Sequence, residues 1–190
     1  MPTLIRDDLS NQLIHLTRGD NADPKLNREE AFKRFYSIAA EGKLIGGSGF
    51  IRGSYRCVCF TEAPISKLSY ILASAAEGAF KYAPYGVMVS KQWLFEKGGR
   101  PVIYGPGTEF DELPEQFRYR HVRFYLSDKY TVDHTWEREW RIKTDELVIP
   151  PAEVALVIPD RIVKQGFEEA FPAKWHYVVL SDLGVYVEPL

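Results

Sequence analysis

The stretch Thr135-Trp136-Glu137-Arg138-Glu139-Trp140-Arg141-Ile142 decides how this chain is read. Taken as a strand, its period of two puts Trp136, Arg138, Trp140 and Ile142 on one face and Glu137, Glu139 and Arg141 on the other. Carboxylates are depleted in strands, and two of them on one face repel each other. A chain carries that cost more readily at a binding site than in a plain ladder. The competing reading is an exposed edge strand with solubilising Glu residues and the Trp pair packed on the core.

The 190 residues suffice for one domain with a substantial core, so residues 1–190 are read as a single domain. A hydrophobic content of 45% and a charged content of 26% suit a globular chain, while 14% aromatic residues point to a core or cleft rich in large rings. A formal net charge of -2 excludes a generally cationic, polyanion-binding molecule, so any nucleic-acid contact must come from a local patch. Cys57 and Cys59 are one residue apart and make no zinc spacing with the histidines. They read as two reduced, buried thiols of a cytoplasmic protein. Met1–Leu13 has no leader character and no run of 18 apolar residues is present, so no membrane association is expected.

Outward from the Glu stretch, Asn11–Thr17 reads as a strand with His15 and Thr17 on one face. A helix is expected from Asn27 to Glu41, stopped by Gly42, and a strand over Tyr55–Thr61. Pro64 opens a helix to about Phe80, Val87–Ser90 is a strand, Trp93-Leu94-Phe95 is a helical turn and Pro101–Tyr104 is a strand. Glu115–Leu126 reads as a helix carrying Arg118, Arg120 and Arg123. Beyond the Glu strand come a strand Val154–Ile158, a helix from Asp160 to Phe171, and strands at Tyr177–Leu180 and Val185–Val187. This order gives an α+β fold, a mixed and mostly antiparallel split sheet with packing helices. The Gly46-Gly47-Ser48-Gly49 run lacks the Lys-Ser/Thr of a phosphate loop, and no nucleophile elbow or His-Glu-x-x-His helix is present.

A first strand with His15-x-Thr17, a helix ending in Gly, a middle strand closing on Phe60-Thr61 and a late strand with Glu137-x-Glu139 resemble the ADP-ribosyltransferase fold. Their order is similar to that of the DarT-type toxins that modify nucleic acid. The blocks Cys59-Phe60-Thr61-Glu62, Tyr82 before Gly86-Val87, Val102-Ile103-Tyr104 and Trp136-x-x-Glu139-Trp140-Arg141 also resemble an uncharacterised bacterial family linked with phage defence. The resemblance implies an enzyme that breaks the nicotinamide–ribose bond of NAD, its substrate, without a metal. The acceptor would be nucleic acid or protein, or water in a glycohydrolase, and an antitoxin or inhibitor protein is an expected partner. Glu139 would stabilise the oxocarbenium-like centre, and Glu137 would orient or deprotonate the acceptor. His15, with Thr17 and Thr61 nearby, would hold a ribose hydroxyl. Tyr82 or Tyr85 would stack on the nicotinamide, and Arg18 would meet the pyrophosphate. The chain departs from the arginine-modifying branch, which has Ser-Thr-Ser where Phe60-Thr61-Glu62 stands.

Two other classes compete. One is a non-enzymatic antitoxin or defence-complex partner that keeps the fold and exposes an aromatic patch around Trp93-Leu94-Phe95 or Trp175. The other is a metal-independent nuclease using His15, the Arg118–Arg123 segment and the Glu pair.

Overall fold

Seven strands lie side by side in the order β15-β14-β6-β1-β3-β12-β7 in the computed structural model of the chain. The structure describes residues 10–187 except 69–71, 73–74, 77–78 and 81. In the main sheet, β1 is Gln12–Leu16, β3 Cys57–Thr61, β6 Gly86–Ser90, β7 Arg100–Pro101, β12 Glu139–Lys143, β14 Val154–Ile158 and β15 His176–Val179. All neighbours in it are antiparallel except β14 and β15. Among the described residues, four two-stranded pairs accompany it: β2 (Lys43–Ile45) with β13 (Glu146–Val148), β4 (Ala75–Ala76) with β5 (Ala79–Phe80), β8 (Ile103–Gly105) with β9 (His121–Arg123), and β10 (Tyr125–Leu126) with β11 (Thr131–Val132). Among the described residues, the helices with defined bounds are α1 (Pro24–Glu41), α2 (Lys91–Glu96), α3 (Glu115–Arg118) and α4 (Arg161–Ala170), and Leu68 and Leu72 are also helical. The fold is therefore α+β with a mostly antiparallel sheet. Among the described residues no helix is long and apolar enough to cross a membrane.

Local chemistry sets the helix limits. Asp23 caps α1 by accepting from the amides of Lys25 and Leu26, Pro24 opens the first turn, and Gly42 ends it at φ 69°. Asp160 caps α4 in the same way through Ile162 and Val163. The buried face of α1, Ala31, Phe35 and Ala39, packs with Leu13, Phe60, Val87, Trp140, Leu156 and Phe167 on one side of the sheet. On the other side Ile14, Leu16, Ala63, Leu68, Leu72, Val157, Leu180 and Val185 form a second apolar cluster.

Several sequence expectations are corrected. The helix expected over Glu115–Leu126 stops at Arg118, because His121–Arg123 turns into a strand that docks alongside β8. The helix expected from Pro64 begins as a 3-10 turn, Ile65–Lys67, and the described part of its far end pairs as β4 with β5. Between these, the described residues Leu68 and Leu72 are helical as expected, and residues 69–71, 73–74 and 77–78 of that expectation lie outside the described residues. The Glu strand begins only at Glu139, since Thr135–Glu137 is a 3-10 turn and Arg138 is left-handed. Trp136 consequently faces solvent while Trp140 is buried. No strand forms over residues 185–187. The aromatic patch expected around Trp93 and Trp175 is not exposed: both indoles and Leu94 are buried, and only Phe95 is open.

Candidate functional site

Strand register decides which polar side chains meet. Ile14 pairs with Thr61 and Thr61 pairs with Glu139, so these three share a face, and Arg141 opposite Cys59 continues it. Trp140 opposite Phe60 points into the α1 side. On the polar face Arg141 forms a two-pronged bond with Glu139, Nε to Oε1 at 2.8 Å and Nη2 to Oε2 at 3.1 Å. Its remaining terminal nitrogen donates to the carbonyls of Tyr119 (2.9 Å) and His121 (3.1 Å). Burial works against the guanidinium charge, and the Glu139 bonds outweigh it, so the Arg141 pKa is raised.

Glu137 arrives by a different route. Asp133 Oδ1 accepts from the Thr135 amide (2.8 Å) and hydroxyl (2.6 Å), which starts the 3-10 turn. Arg138 then reverses the chain at φ 47° and ψ 50°, a conformation rarely taken by a residue with a Cβ. Neighbouring side chains fix the turn. Thr61 Oγ1 donates to the Glu137 carbonyl (2.5 Å) and accepts from the Ala63 amide (3.1 Å). The Tyr104 hydroxyl donates to the His134 carbonyl (3.2 Å) and accepts from the Glu139 amide (3.3 Å). The buried Glu137 carboxylate meets the Tyr82 hydroxyl at 3.3 Å, and His134 Nδ1 lies 3.8 Å from its other oxygen.

The two carboxylates colour their surroundings. Tyr82 is raised far above the ordinary phenol range by burial first and then by the Glu137 and Glu139 charges, so it remains a proton donor to Glu137. Burial raises Cys59 well above the usual thiol range, with Glu139 adding to it, and lifts Cys57 to about 11. Both cysteines are therefore thiols with little nucleophilic character. Burial, then the charge of Glu139 and of Glu137, also raises Tyr104.

Of the other residues singled out in the sequence, Thr61, Tyr82 and Arg18 lie with the carboxylates. Arg18 acts electrostatically on Tyr82, the partner of Glu137, and stacks on Phe50 with the guanidinium carbon 4.6 Å from the ring centre. His15 lies on the α1 face, with its ring edge-on to Phe60 at 5.8 Å, and its Nδ1 donates to the Cys59 carbonyl at 2.8 Å. That bond fixes the neutral tautomer with its proton on Nδ1, and burial lowers the His15 pKa. Thr17 is buried with its hydroxyl on the Tyr85 carbonyl (3.1 Å). Tyr85 belongs to the core, stacked on Phe35 at 5.6 Å. The structure thus gathers Glu137, Glu139, Thr61, Tyr82 and Arg18, and leaves His15, Thr17 and Tyr85 as packing groups on the helix side.

Tyr104 and Arg138 are part of this site and were not assigned from the sequence. Spacing carries no trace of Tyr104, whose hydroxyl matters only once β8 lies beside the Glu137 turn. Among the described residues no three His, Cys, Asp or Glu side chains gather as metal ligands do. Chemically, the site offers two carboxylates, Glu137 with the Tyr82 phenol donating to it and Glu139 held by Arg141, which suits proton transfer to a bound acceptor or stabilisation of a developing cation. Comparison of the chain with protein-family models, with curated proteins and with solved structures finds no match.

Proposed function

We propose that the protein consumes NAD, breaking its nicotinamide–ribose bond as an ADP-ribosyltransferase or NAD glycohydrolase of toxin or phage-defence type. The observation that carries the reading is the meeting of Glu137 and Glu139 beside Tyr82 and Thr61. In the reaction, nicotinamide departs with the electrons of the C–N bond, and an acceptor hydroxyl, amine or water adds to the ribose carbon and loses its proton. The ribose carbon passes through an oxocarbenium-like state that a nearby carboxylate stabilises.

Arg141 shifts the division of labour. Both Glu139 oxygens receive guanidinium hydrogens, which offsets the Glu139 charge. Glu137 therefore takes the larger share in stabilising the cation, and Glu139 with Arg141 orients the sugar or acceptor. Tyr82 stacks on or bonds to the nicotinamide side, and Arg18 meets the pyrophosphate. His15 and Tyr85 sit on the opposite face and serve the site through packing. The acceptor is nucleic acid, protein or water.

Calorimetric titration with a non-hydrolysable NAD analogue, paired with nicotinamide release from NAD, tests the reading. Saturable analogue binding and nicotinamide release are expected in the wild type, with release lost and binding kept in Glu137→Gln. Absence of binding at millimolar analogue overturns it. The second reading, a non-enzymatic antitoxin or defence-complex partner, is favoured by one observation, the Arg141 lock on Glu139. It predicts no NAD binding at all.

A further inference from the structure

Three donors converge on one carboxylate at the edge of this site. Glu62 is buried and accepts from Lys91 Nζ on Oε1 at 2.6 Å and from Trp140 Nε1 on Oε2 at 2.8 Å. Arg138 Nη2 lies 3.7 Å from the same Oε1. The backbone is engaged as well, because the Glu62 amide donates to the Arg138 carbonyl at 3.2 Å. With Thr61 on the preceding carbonyl, residues 61 and 62 between them hold the carbonyls of 137 and 138. The residue so held is the left-handed Arg138, which lies between the two candidate catalytic carboxylates.

We infer that Glu62 is the positioning residue of the Glu137–Glu139 turn, keeping Arg138 left-handed so that Glu137 projects to Tyr82 and Glu139 to Arg141. The inference rests on the proposed reading for its catalytic consequence, while its structural content stands on the turn itself. An ionised carboxylate is the group this place needs. Its two oxygens accept from donors on both sides, whereas an amide accepts at one end and turns an NH2 toward a donor at the other. Glu62→Gln therefore breaks either the Trp140 side or the Lys91–Arg138 side. The backbone amide of residue 62 and the Thr61 hydroxyl remain, but the side-chain part of the tether, the Arg138 ion pair and the Lys91 and Trp140 bonds that seat residue 62, is weakened. Arg138 carries a Cβ, so its backbone then relaxes toward negative φ. Glycine populates the left-handed region without that bias. If Glu62 acts through the Arg138 backbone, Arg138→Gly repairs what Glu62→Gln damages, whereas a carboxylate needed only for packing is not repaired.

The test compares wild type, Glu62→Gln and the double variant Glu62→Gln/Arg138→Gly, with two readouts. One is the backbone conformation at residue 138, by crystallography or NMR. The other is kcat and KM for nicotinamide release from NAD. The expected result is loss of the left-handed conformation in Glu62→Gln, with kcat down about tenfold and KM nearly unchanged, and recovery of most of both in the double variant. If Glu62→Gln does not fold, Glu62→Gln/Lys91→Met removes the ammonium the amide cannot match, and the same readouts apply. The inference is overturned if residue 138 stays left-handed in the single variant, or if the double variant recovers nothing. A wild type that releases no nicotinamide defeats the NAD reading alone. The conformation at residue 138 then decides the role of Glu62 by itself.

Discussion

Arg141 grips both oxygens of Glu139 from an almost fully buried position, with its third nitrogen spent on two backbone carbonyls. The pair is therefore structural as well as chemical. Removing one partner of a buried ion pair typically costs about 3–5 kcal/mol, because the other charge is left uncompensated. Glu139→Gln is expected to lose stability on that order in urea denaturation, alongside any loss of activity. Combining it with Arg141→Met, which removes the stranded guanidinium, is expected to restore much of the stability. An unchanged midpoint in the single variant would show that the buried arginine does not depend on Glu139.

Glu137 separates chemistry from folding more cleanly. It sits on a turn held by its backbone carbonyl, which a side-chain change leaves in place. Glu137→Gln is expected to abolish nicotinamide release while shifting stability by only about 1 kcal/mol. Tyr82→Phe removes the hydroxyl that donates to Glu137 and is expected to lower kcat about tenfold, with a similarly small stability change. Activity that survives Glu137→Gln at the wild-type rate would remove this carboxylate from the mechanism.

The strands with the plainest local signals were legible. Val154–Ile158 and the core of Tyr55–Thr61 are runs of β-branched and apolar residues, and they form strands where the pattern puts them. The Asp160–Phe171 helix was legible from its cap and its apolar stripe. Residues 115–126 misled because Phe117, His121, Phe124 and Tyr125 have helical spacing, while the force that makes His121–Arg123 a strand is its pairing with β8. The Glu stretch misled for a related reason. A left-handed Arg138 has no signature in side-chain pattern, since tertiary bonds from Thr61 and Glu62 hold it. The face on which His15 lies followed from the chain of pairings Ile14–Thr61–Glu139, and no local spacing encodes that register.

The two thiols predict an alkaline limit. Burial raises Cys57 to about 11 and Cys59 further, whereas thiols in the unfolded chain ionise near about 8.5. Above that pH the unfolded chain gives up protons that the folded chain keeps, so stability falls as pH rises, with the Cys57 share lost between about 8.5 and 11. Tyr82 extends the loss from about pH 10 upward, for the same reason. Denaturation free energies measured from pH 8 to 11 are expected to decline, and to decline less below pH 10 in Cys57→Ala/Cys59→Ala. The native thiols are also expected to resist a thiol reagent at pH 8. Rapid labelling of both would contradict their burial.

His15 sets the opposite limit. Its folded pKa is lowered by burial, against the pull of its bond to the Cys59 carbonyl, while an unfolded histidine titrates near about 6.5. As pH falls through that value the unfolded chain takes up a proton that the folded chain resists, so the stabilising contribution is full above it and is lost on acidification. Carboxylates titrate mainly lower, which leaves the window from about pH 7.5 to 5.5 to the histidines. His15→Gln can still donate an amide hydrogen to the Cys59 carbonyl but cannot titrate. Its denaturation free energy is expected to depend less on pH across that window than the wild type's, with the two proteins differing least in slope at the alkaline end. Identical slopes throughout would mean that His15 takes up its proton in the folded protein, and that the β1–β3 junction it occupies is open to water.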